Sequence, residues 1–575
     1  MSYLDTYQEW LNNPYIDEDT KKELQGIQGD EQEIKERFYA DLEFGTAGLR
    51  GIVGAGTNRM NIYTIRKATQ GLANYIISKG MQEKGVAIAH DCRHKKDEFT
   101  REAACCLAAN GIKAYVFDDL RPTPELSFAI RELGCVSGIN ITASHNPPEY
   151  NGYKVYWEDG AQITPPHDAG IMSEVKAVTD LSMVKTMSED EAKAAGLYIT
   201  IGEEIDARYM EELKKNVLHP EAIEKVKDDL TIVYTPLHGA GNRSVQRVLK
   251  ELGFSKVFVV PEQEQPDGDF PTVSYPNPEA AEAFELALKL GKEKNADLIL
   301  ATDPDADRLG VYVKDQKSGD YVCLTGNMSG SLLAWYEISQ KKAVEGKLPE
   351  GGMLVKTIVT TNMVDAIAKA YDVEVVECLT GFKWIGKEIL RTEETGKGAY
   401  LFGFEESYGC LIGTHARDKD GIVASMALCE AAAFYKVQGK TLWDAMLEMY
   451  ETFGYYKDDV IAITHKGVEG IEKIQTIMAD LRKNPPTAFG NYEVLRFRDY
   501  QVGEITDLKT GAKEKTTLPQ SNVLYFELTN DAWICIRPSG TEPKIKIYYG
   551  VVGENLEDAN ANSEELGKIV KEVLA

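Results

Sequence analysis

The chain carries the sequence DLILATDPDADRLGVYV at residues 297–313. An apolar, strand-like run leads into a loop with Asp303, Asp305 and Asp307 at alternate positions, and a second strand-like run follows it. Carboxylates with this spacing can converge on a hard cation, and the adjacent Arg308 suits an anionic oxygen as a further ligand of that cation. The loop therefore predicts a metal and phosphate site, with an ordinary solvated acidic turn as the alternative.

A calcium-binding EF-hand loop begins with the same spacing of carboxylates. Its sixth position requires glycine and its twelfth requires glutamate. This chain has Arg308 and Lys314 at those two positions, so the sequence excludes an EF-hand.

A second polar loop, TASHNP at residues 142–147, ends another apolar strand pattern. Ser144 in this loop is a candidate phosphate carrier that would supply the anionic oxygen. The G-x-S-x-G elbow of serine hydrolases is absent, and adjacency in sequence does not establish His145 as a base for the Ser144 hydroxyl. An ordinary turn built from Ser, His, Asn and Pro is the alternative.

The chain repeats one plan three times: strand, helix, strand, helix, strand and then a polar loop. The predicted strands are 86–89, 114–117 and 138–142 in the first repeat, 231–234, 256–260 and 297–301 in the second, and 353–359, 373–377 and 399–402 in the third. The three polar loops carry Ser144, Asp303 and Glu405 in equivalent places. Because open α/β sheets bind ligands beyond the carboxyl ends of their strands, we expect the loops to face one cleft.

The helix before the last strand of the first repeat has clear signals at both ends. Thr123 is predicted as its cap, Pro124 lies in its first turn, and Gly134 ends it. Leu126 and Ile130 fall on one face of this helix, as expected for packing against a sheet.

The carboxyl-terminal part of the chain changes to a long helix followed by a hairpin pattern. Asn530-Asp531 predicts a tight turn between strands at 523–528 and 533–536. The segment RPSGTEPK at residues 537–544 offers a guanidinium, two hydroxyls and an exposed backbone that suit a phosphate, with a Pro/Gly turn as the alternative.

These patterns predict an α/β fold, with three similar α/β domains with mixed sheets plus a C-terminal α+β domain around one central cleft. The predicted domains are 1–205 with the serine loop, 206–324 with the aspartate loop, 325–454 with the glutamate loop, and 455–575 with the phosphate-binding segment.

The composition is that of a large enzyme of several domains, since 43% of the 575 residues are hydrophobic and 27% are charged. The formal net charge of −27 argues against nucleic acid and anionic membrane surfaces as partners. An anionic substrate must therefore meet cations concentrated locally. The polar segments singled out in this sequence carry such cations, namely Arg50, Lys154, Arg308, Lys383, Arg537 and Lys544.

Other sequence signals favour a cytoplasmic protein. The nine cysteines form no C-x-x-C pair, the amino terminus has no basic leader, and no apolar run approaches the length of a membrane span. Neither a Walker A motif nor a dinucleotide fingerprint is present, so we expect neither ATP nor NAD as a cofactor.

With these motifs the chain resembles the α-D-phosphohexomutase superfamily, close to its phosphoglucomutase and phosphopentomutase branch. The resemblance spans nearly the whole chain and rests on four loops in the right order. It implies a phosphoserine at Ser144 and one Mg²⁺ per chain, with Ser144, Asp303, Asp305 and Asp307 as metal ligands.

The resemblance also implies roles for residues outside the metal loop. Arg50, in GTAGLRG at residues 45–51, and Lys154 would serve the phosphoserine region. Lys154 and His415 are both candidates for the residue that accepts a proton from, or donates one to, the sugar hydroxyl. The alternative role for Lys154 is to position the phosphate. The substrate-binding residues would be Glu405, Ser407, Lys383 in TGFK at 380–383, Arg308, Arg537, Ser539 and Thr541.

The implied reaction interconverts α-D-glucose 1-phosphate and glucose 6-phosphate through the phosphoserine and a glucose 1,6-bisphosphate intermediate. The main alternative is a phosphopentomutase acting on ribose and deoxyribose 1- and 5-phosphates. A sugar-bisphosphate synthase, and a catalytically silent metal-binding or carbohydrate-binding protein, are further alternatives. Aminosugar and mannose phosphomutases are less favoured because their sugar loops usually differ from EESY at 405–408. We expect a monomer or small homo-oligomer.

Overall fold

The computed structural model describes residues 2–45, 48–464, 467–539 and 544–574. The chain divides into two compact units. The first comprises Met1–Thr325, Phe382–Lys397 and Tyr408–Thr441, and the second comprises Gly326–Gly381, Gly398–Ser407 and Leu442–Ala575. The three predicted boundaries between the four domains stay a prediction.

The α-helices of the described residues are numbered in chain order. They are α1 Tyr3–Asn12, α2 Glu18–Gly26, α3 Glu31–Phe38, α4 Ile62–Ser78, α5 Lys96–Ala109, α6 Thr123–Glu132, α7 His167–Ala177, α8 Glu189–Ala194, α9 Glu203–Lys214, α10 Pro220–Val226, α11 Gly241–Glu251, α12 Pro261–Glu264, α13 Glu285–Lys294, α14 Gly326–Glu345, α15 Met363–Tyr371, α16 Phe382–Thr395, α17 Gly421–Val437, α18 Leu442–Phe453, α19 Gly467–Lys483 and α20 Leu556–Leu574. Among these residues, no helix combines the length and the apolar character needed to cross a membrane.

The β-strands are numbered in the same way. They are β1 Gly48–Ile52, β2 Val86–His90, β3 Ala114–Phe117, β4 Ser137–Ile141, β5 Tyr150–Trp157, β6 Tyr198–Ile201, β7 Thr231–Thr235, β8 Lys256–Val259, β9 Leu298–Thr302, β10 Leu309–Lys314, β11 Tyr321–Leu324, β12 Gly352–Thr357, β13 Glu374–Cys378, β14 Ala399–Glu405, β15 Gly409–Ile412, β16 Tyr455–Thr464, β17 Ala488–Phe489, β18 Tyr492–Asp499, β19 Glu504–Asp507, β20 Lys513–Lys515, β21 Leu524–Leu528, β22 Trp533–Pro538 and β23 Lys544–Gly553. Each of the nine predicted repeat strands is confirmed, with its ends shifted by a few residues at most.

The first unit contains a six-stranded sheet in the order β1-β5-β4-β2-β3-β6. Strands β4, β2, β3 and β6 are parallel, whereas β5 runs antiparallel to both β4 and β1. The sheet is therefore mixed, as predicted. The serine loop follows β4 directly, at the carboxyl end of a fully buried strand.

A second mixed sheet of the first unit has the order β11-β10-β9-β7-β8. Strand β10 returns antiparallel to β9, with Leu309 opposite Thr302. This register compresses residues 303–308 into a hairpin loop, so the three alternate aspartates project from one tight turn.

The second unit contains the parallel strands β13, β12 and β14 and an antiparallel sheet in the order β16-β23-β22-β21-β18-β19-β20. The predicted hairpin connects β21 and β22. Asn530 and Asp531 have φ values of 60° and 55°, the left-handed pair that a type I′ turn requires. The predicted α+β character of this region is confirmed.

The predicted cap of α6 is wrong. The helix begins at Thr123 itself, and Pro122 occupies the capping position without a side-chain hydrogen bond. The Thr123 hydroxyl instead donates to Asp305 Oδ2 at 2.7 Å. The Thr123 hydroxyl, which the local sequence predicted to cap the helix, is thus used in a hydrogen bond to a residue 182 positions away along the chain.

Helix α4 packs so closely on α7 that a glycine is required between them. A Cβ atom at Gly71 would lie 2.6 Å from the Val175 Cα atom. We expect Gly71→Ala to lower the thermal unfolding midpoint of the first unit. Overpacking costs about 1–3 kcal/mol, which exceeds the gain of roughly 1 kcal/mol in helix propensity.

Gly26→Ala, in α2, is the matched control, because no atom lies within 4 Å of its added Cβ. Its midpoint should stay unchanged or rise. A midpoint for Gly71→Ala equal to that of the control, measured by calorimetry, would contradict the close approach of α4 and α7.

Candidate active site

The serine loop and the aspartate loop meet within the first unit. The Ser144 hydroxyl donates to Asp303 Oδ2 at 2.8 Å. Ser144 is buried and has a left-handed backbone, with φ of 52°. Two loops that follow strands of different sheets therefore place a hydroxyl against a carboxylate, and the sequence alone did not establish this contact.

Three carboxylates are buried together at the end of β9. Asp303, Asp305 and Asp307 offer oxygens that all lie within 4.8 Å of one another. Burial and the neighbouring Asp305 raise the pKa of Asp303 well above its usual range, and the same two causes raise the pKa of Asp307. Burial also opposes ionisation of Asp305, but the Lys154 ammonium and the hydrogen bonds with Asp303, Lys154 and Thr123 together outweigh it and lower the pKa of Asp305.

The chemistry of this cluster fits a hard divalent cation. All three donors are oxygens, and Oδ1 of Asp305 and Oδ1 of Asp307 are buried without a hydrogen-bond partner among the described residues. Buried polar atoms are normally paired, so orphaned carboxylate oxygens indicate room for a cation. The cluster could hold a metal ion.

Two ammonium groups lie against the carboxylates. Lys154, on β5, donates to Asp305 Oδ2 at 2.6 Å and lies 3.8 Å from Asp307 Oδ2. Lys419 Nζ lies 3.2 Å from Asp307 Oδ2 and 3.1 Å from Asp418 Oδ1. Lys154 was predicted, whereas Lys419 was missed; the basic residue inside the acidic run DKDG at 418–421 was the available signal.

Two guanidinium groups reach the same loops. Arg50, on β1, donates from Nη1 to Asn146 Oδ1 at 3.1 Å, within the serine loop. Arg308 donates its backbone N–H to Asp303 Oδ1 at 3.0 Å, and its guanidinium pairs with Glu279. Arg308 therefore contacts the aspartate loop through its backbone N–H, and its Nε lies 4.0 Å from Asp307 Oδ1.

His145 lies beside the serine hydroxyl, since its Nδ1 is 3.1 Å from Ser144 Oγ. Burial, together with the nearby Arg308 and Arg50 charges, lowers the pKa of His145 well below its usual range. The ring is therefore neutral at neutral pH. Because the Ser144 hydroxyl uses its one hydrogen on Asp303, the consistent arrangement has Nδ1–H of His145 donating to Oγ.

His415 is held in a buried polar group of the first unit. Its Nε2 lies 2.7 Å from Asp420 Oδ2, which also accepts from the Tyr209 hydroxyl at 2.8 Å. The other oxygen of Asp420 caps α17 through the Ile422 and Val423 N–H groups. His415 Nδ1 is buried without a hydrogen-bond partner among the described residues. Its role as a proton shuttle stays a prediction.

The predicted sugar-binding residues occupy the ends of regular elements. Glu405, at the end of β14, is buried and accepts the Gly381 N–H at 2.8 Å within the second unit. Ser407 is half-buried two residues later. Lys383 lies in the first turn of α16, in the first unit, where burial lowers its pKa.

The predicted phosphate-binding segment belongs to the second unit. Arg537 is half-buried at the end of β22. The Ser539 N–H donates to the Lys544 carbonyl at 2.7 Å. Thr541 lies outside the described residues.

The sequence matches family models over most of its length. The models of the phosphoglucomutase/phosphomannomutase α/β/α domains I, II and III match residues 41–182, 207–318 and 325–453. The model of the phosphoglucomutase/phosphomannomutase C-terminal domain matches residues 503–561. Three α/β domains and a C-terminal domain thus follow in the predicted order.

Full-length relatives agree with these matches. A protein of Staphylococcus saprophyticus named phosphoglucomutase is 36% identical over 555 residues, which cover 96% of this chain and 98% of the relative. A phosphoglucomutase of Staphylococcus aureus is also 36% identical, over 92% of each chain.

The fold agrees with a solved structure of much lower identity. The exocytosis-sensitive phosphoprotein pp63/parafusin, a phosphoglucomutase of Paramecium, superposes with a TM-score of 0.68 at 19% identity, covering 93% of this chain and 95% of that one. On the domain models and the full-length relatives, the chain belongs to the phosphoglucomutase/phosphomannomutase family.

Proposed function

We propose that this protein interconverts α-D-glucose 1-phosphate and glucose 6-phosphate, using Ser144 as the phosphoryl carrier and glucose 1,6-bisphosphate as the intermediate. The observation that carries the proposal is the Ser144 hydroxyl placed 2.8 Å from a carboxylate of the buried three-aspartate cluster. The full-length relatives that are named phosphoglucomutase support the same activity.

The chemical step exchanges one phosphate ester for another. The bond between phosphorus and Ser144 Oγ breaks while a bond forms between phosphorus and a sugar hydroxyl oxygen. The hydroxyl proton leaves to a base, and Ser144 Oγ takes up a proton. After the bisphosphate has turned round, the reverse step returns its other phosphate to Ser144, so the net change is the position of the phosphate on the sugar.

The proposed metal is one Mg²⁺ per chain, held by Asp303, Asp305, Asp307 and an oxygen on Ser144. When bound, this ion offsets the negative charge that develops on the transferring phosphoryl group, which is the main demand of such chemistry. Arg50 and Arg308, which contact the two loops, would orient the same phosphate.

Two residues are proposed for proton transfer. Lys154 holds Asp305 at 2.6 Å, so its ammonium is already directed at the cluster beside Ser144. His415 is oriented by Asp420 through Nε2, which leaves Nδ1 as the nitrogen able to accept a proton. Lys419, which contacts Asp307, would supply further positive charge for an anionic substrate.

The remaining predicted residues are proposed to bind the substrate. Glu405, Ser407 and Lys383 suit sugar hydroxyls, because carboxylate, hydroxyl and ammonium groups together accept and donate hydrogen bonds. Arg537 and Ser539, with Thr541, would bind the phosphate that is not being transferred.

The proposed setting of the reaction is a reducing cytoplasm, with the protein as a monomer or small homo-oligomer. None of the nine cysteines, which all lie within the described residues, forms a disulfide bond, and eight of them are buried, which supports this compartment. Sugar phosphates are the proposed partners, and glucose 1,6-bisphosphate is the proposed activator that keeps Ser144 phosphorylated.

Ser144→Ala removes the oxygen that would carry the phosphoryl group. We expect kcat to fall by at least about 10⁴-fold, the scale seen when an enzyme loses its covalent nucleophile. Ser137→Ala, at the start of the strand β4 that leads into the serine loop, is the matched control, since that buried hydroxyl donates to the Tyr156 carbonyl. Most turnover surviving in Ser144→Ala, in a coupled assay of glucose 6-phosphate formation, would refute the phosphoserine mechanism.

Asp305→Asn replaces an anionic oxygen of the cluster with a neutral amide. We expect the Kd for Mg²⁺, measured by calorimetry on chelator-treated protein, to rise by about tenfold or more. Asp315→Asn is the control, because Asp315 lies in an exposed turn after β10. An unchanged Kd for Asp305→Asn would remove Asp305 from the metal site.

The sugar preference distinguishes the proposal from the phosphopentomutase alternative. We expect kcat/KM for α-D-glucose 1-phosphate to exceed that for ribose 1-phosphate by at least about tenfold, because polar groups left unpaired by the smaller sugar raise the barrier. Both substrates are compared with Mg²⁺ and a trace of the matching bisphosphate. A preference for the pentose would replace the proposed reaction with its alternative.

A further inference from the structure

A buried guanidinium donates several hydrogen bonds to the backbone of the serine loop. Arg93, which is 1% exposed, donates to the backbone carbonyl of Ser144 at 2.6 Å and to those of Pro147 and Tyr150 at 2.8 Å each. It also donates to the Asn146 carbonyl. One side chain thus binds four carbonyls between Ser144 and Tyr150, in the loop that presents the serine.

The guanidinium is itself fixed by a buried carboxylate. Asp91, fully buried two residues earlier, lies 3.3 Å from Arg93 Nε through Oδ2 and accepts the Arg93 N–H on Oδ1 at 2.9 Å. Asp91 Oδ2 also accepts the Thr142 hydroxyl at 2.6 Å, and the Thr142 oxygen in turn accepts the Ser144 N–H at 2.8 Å. The serine loop is therefore held from its carbonyls by Arg93 and from its N–H by Thr142.

Aromatic packing completes the support. The centroid of the Phe270 ring lies 5.2 Å from the Arg93 guanidinium carbon. Phe270 belongs to the segment between α12 and α13. A planar group with five donors can bind several carbonyls at once and stack on a ring, which an ammonium cannot do.

The serine loop needs this support because of its backbone. Ser144 has φ of 52°, in the left-handed region that residues with a side chain seldom adopt. Such a conformation persists only where its surroundings hold it. A relaxed φ at Ser144 would turn its Cβ atom, and with it the hydroxyl, away from Asp303.

We propose that Arg93, with Asp91 and Thr142, positions the phosphoryl carrier by locking the Ser144 backbone so that Oγ stays aimed at the aspartate cluster. The inference rests on the proposed function. Arg93 acts through the backbone of Ser144 and is a positioning residue, since its side chain contacts backbone carbonyls, the Asp91 carboxylate and the Phe270 ring.

The expected consequence is a loss of rate without a matching loss of substrate affinity. Misplacing a reacting atom by 1 Å can cost about 10²-fold in rate. We therefore expect Arg93→Lys to lower kcat and the rate of Ser144 phosphorylation by about 10²-fold, with KM for the sugar phosphate changed by less than about threefold.

The test measures the phosphorylation of Ser144 directly. Dephosphorylated full-length enzyme is mixed with glucose 1,6-bisphosphate, and the phosphorylated fraction is followed in time by intact-protein mass spectrometry, per mole of folded protein. Arg121→Lys is the matched control: Arg121 is equally buried, at 1% exposure, but its guanidinium pairs with Asp206 and Asp118. It should phosphorylate at the wild-type rate.

A second pair of variants keeps the test decisive if Arg93→Lys folds poorly. Thr142→Val removes only the hydroxyl that links Asp91 to the Ser144 N–H, and we expect the phosphorylation rate to fall about tenfold or more. Thr142→Ser retains that hydroxyl and should restore the rate. Added guanidinium should also raise the rate of Arg93→Gly and leave that of the wild type unchanged.

Three results would overturn the inference. Phosphorylation of Arg93→Lys and Thr142→Val at the wild-type rate would show that the support is not needed for transfer. An equal loss of phosphorylation rate in Arg93→Lys and Arg121→Lys would show that Arg93 contributes only what any buried arginine in an ion pair contributes. A wild-type enzyme that is not phosphorylated at all would overturn the proposed function, and this inference with it.

Discussion

Burying three carboxylates within five residues of one loop is the constraint that the rest of the first unit must satisfy. Like charges at such distances resist joint ionisation, and removing them from water is costly. The compensation comes from separate parts of the chain: Lys154 from β5, Lys419 from the segment before α17, and the Thr123 hydroxyl from the start of α6. The aspartate loop therefore organises the packing of several elements around it.

The orphaned carboxylate oxygens show that this compensation is incomplete. Lys154 and Lys419 contact the cluster and Arg308 Nε lies 4.0 Å from Asp307 Oδ1, yet Oδ1 of Asp305 and Oδ1 of Asp307 have no hydrogen-bond partner among the described residues. Buried carboxylate oxygens without hydrogen-bond partners lower the stability of the folded protein, but they are suited to binding a divalent cation together with a phosphate oxygen. Proteins commonly accept such a local loss of stability at functional sites, so the cluster has the character of a functional site.

The overall charge of the chain makes the local distribution of cations significant. With a formal net charge of −27, the surface as a whole repels sugar phosphates. Arg50, Arg308, Lys154 and Lys419 counter this repulsion where the serine and aspartate loops meet. Binding of an anionic substrate thus depends on a few placed cations, and their loss cannot be made good by the rest of the surface.

Local sequence determined the strands, the turn at Asn530-Asp531 and the chemistry of the aspartate loop, because alternation, turn propensity and carboxylate spacing act over a few residues. Only the tertiary structure decided which groups meet. Thr123 serves Asp305 from 182 positions away instead of capping its helix, and Arg93 grips a loop 51 positions later. Such contacts follow from sheet register and packing between sheets, which no short pattern encodes, so the role of Arg93 could not be assigned from the sequence alone, and the run DKDG at 418–421 marked Lys419 without identifying its partner Asp307.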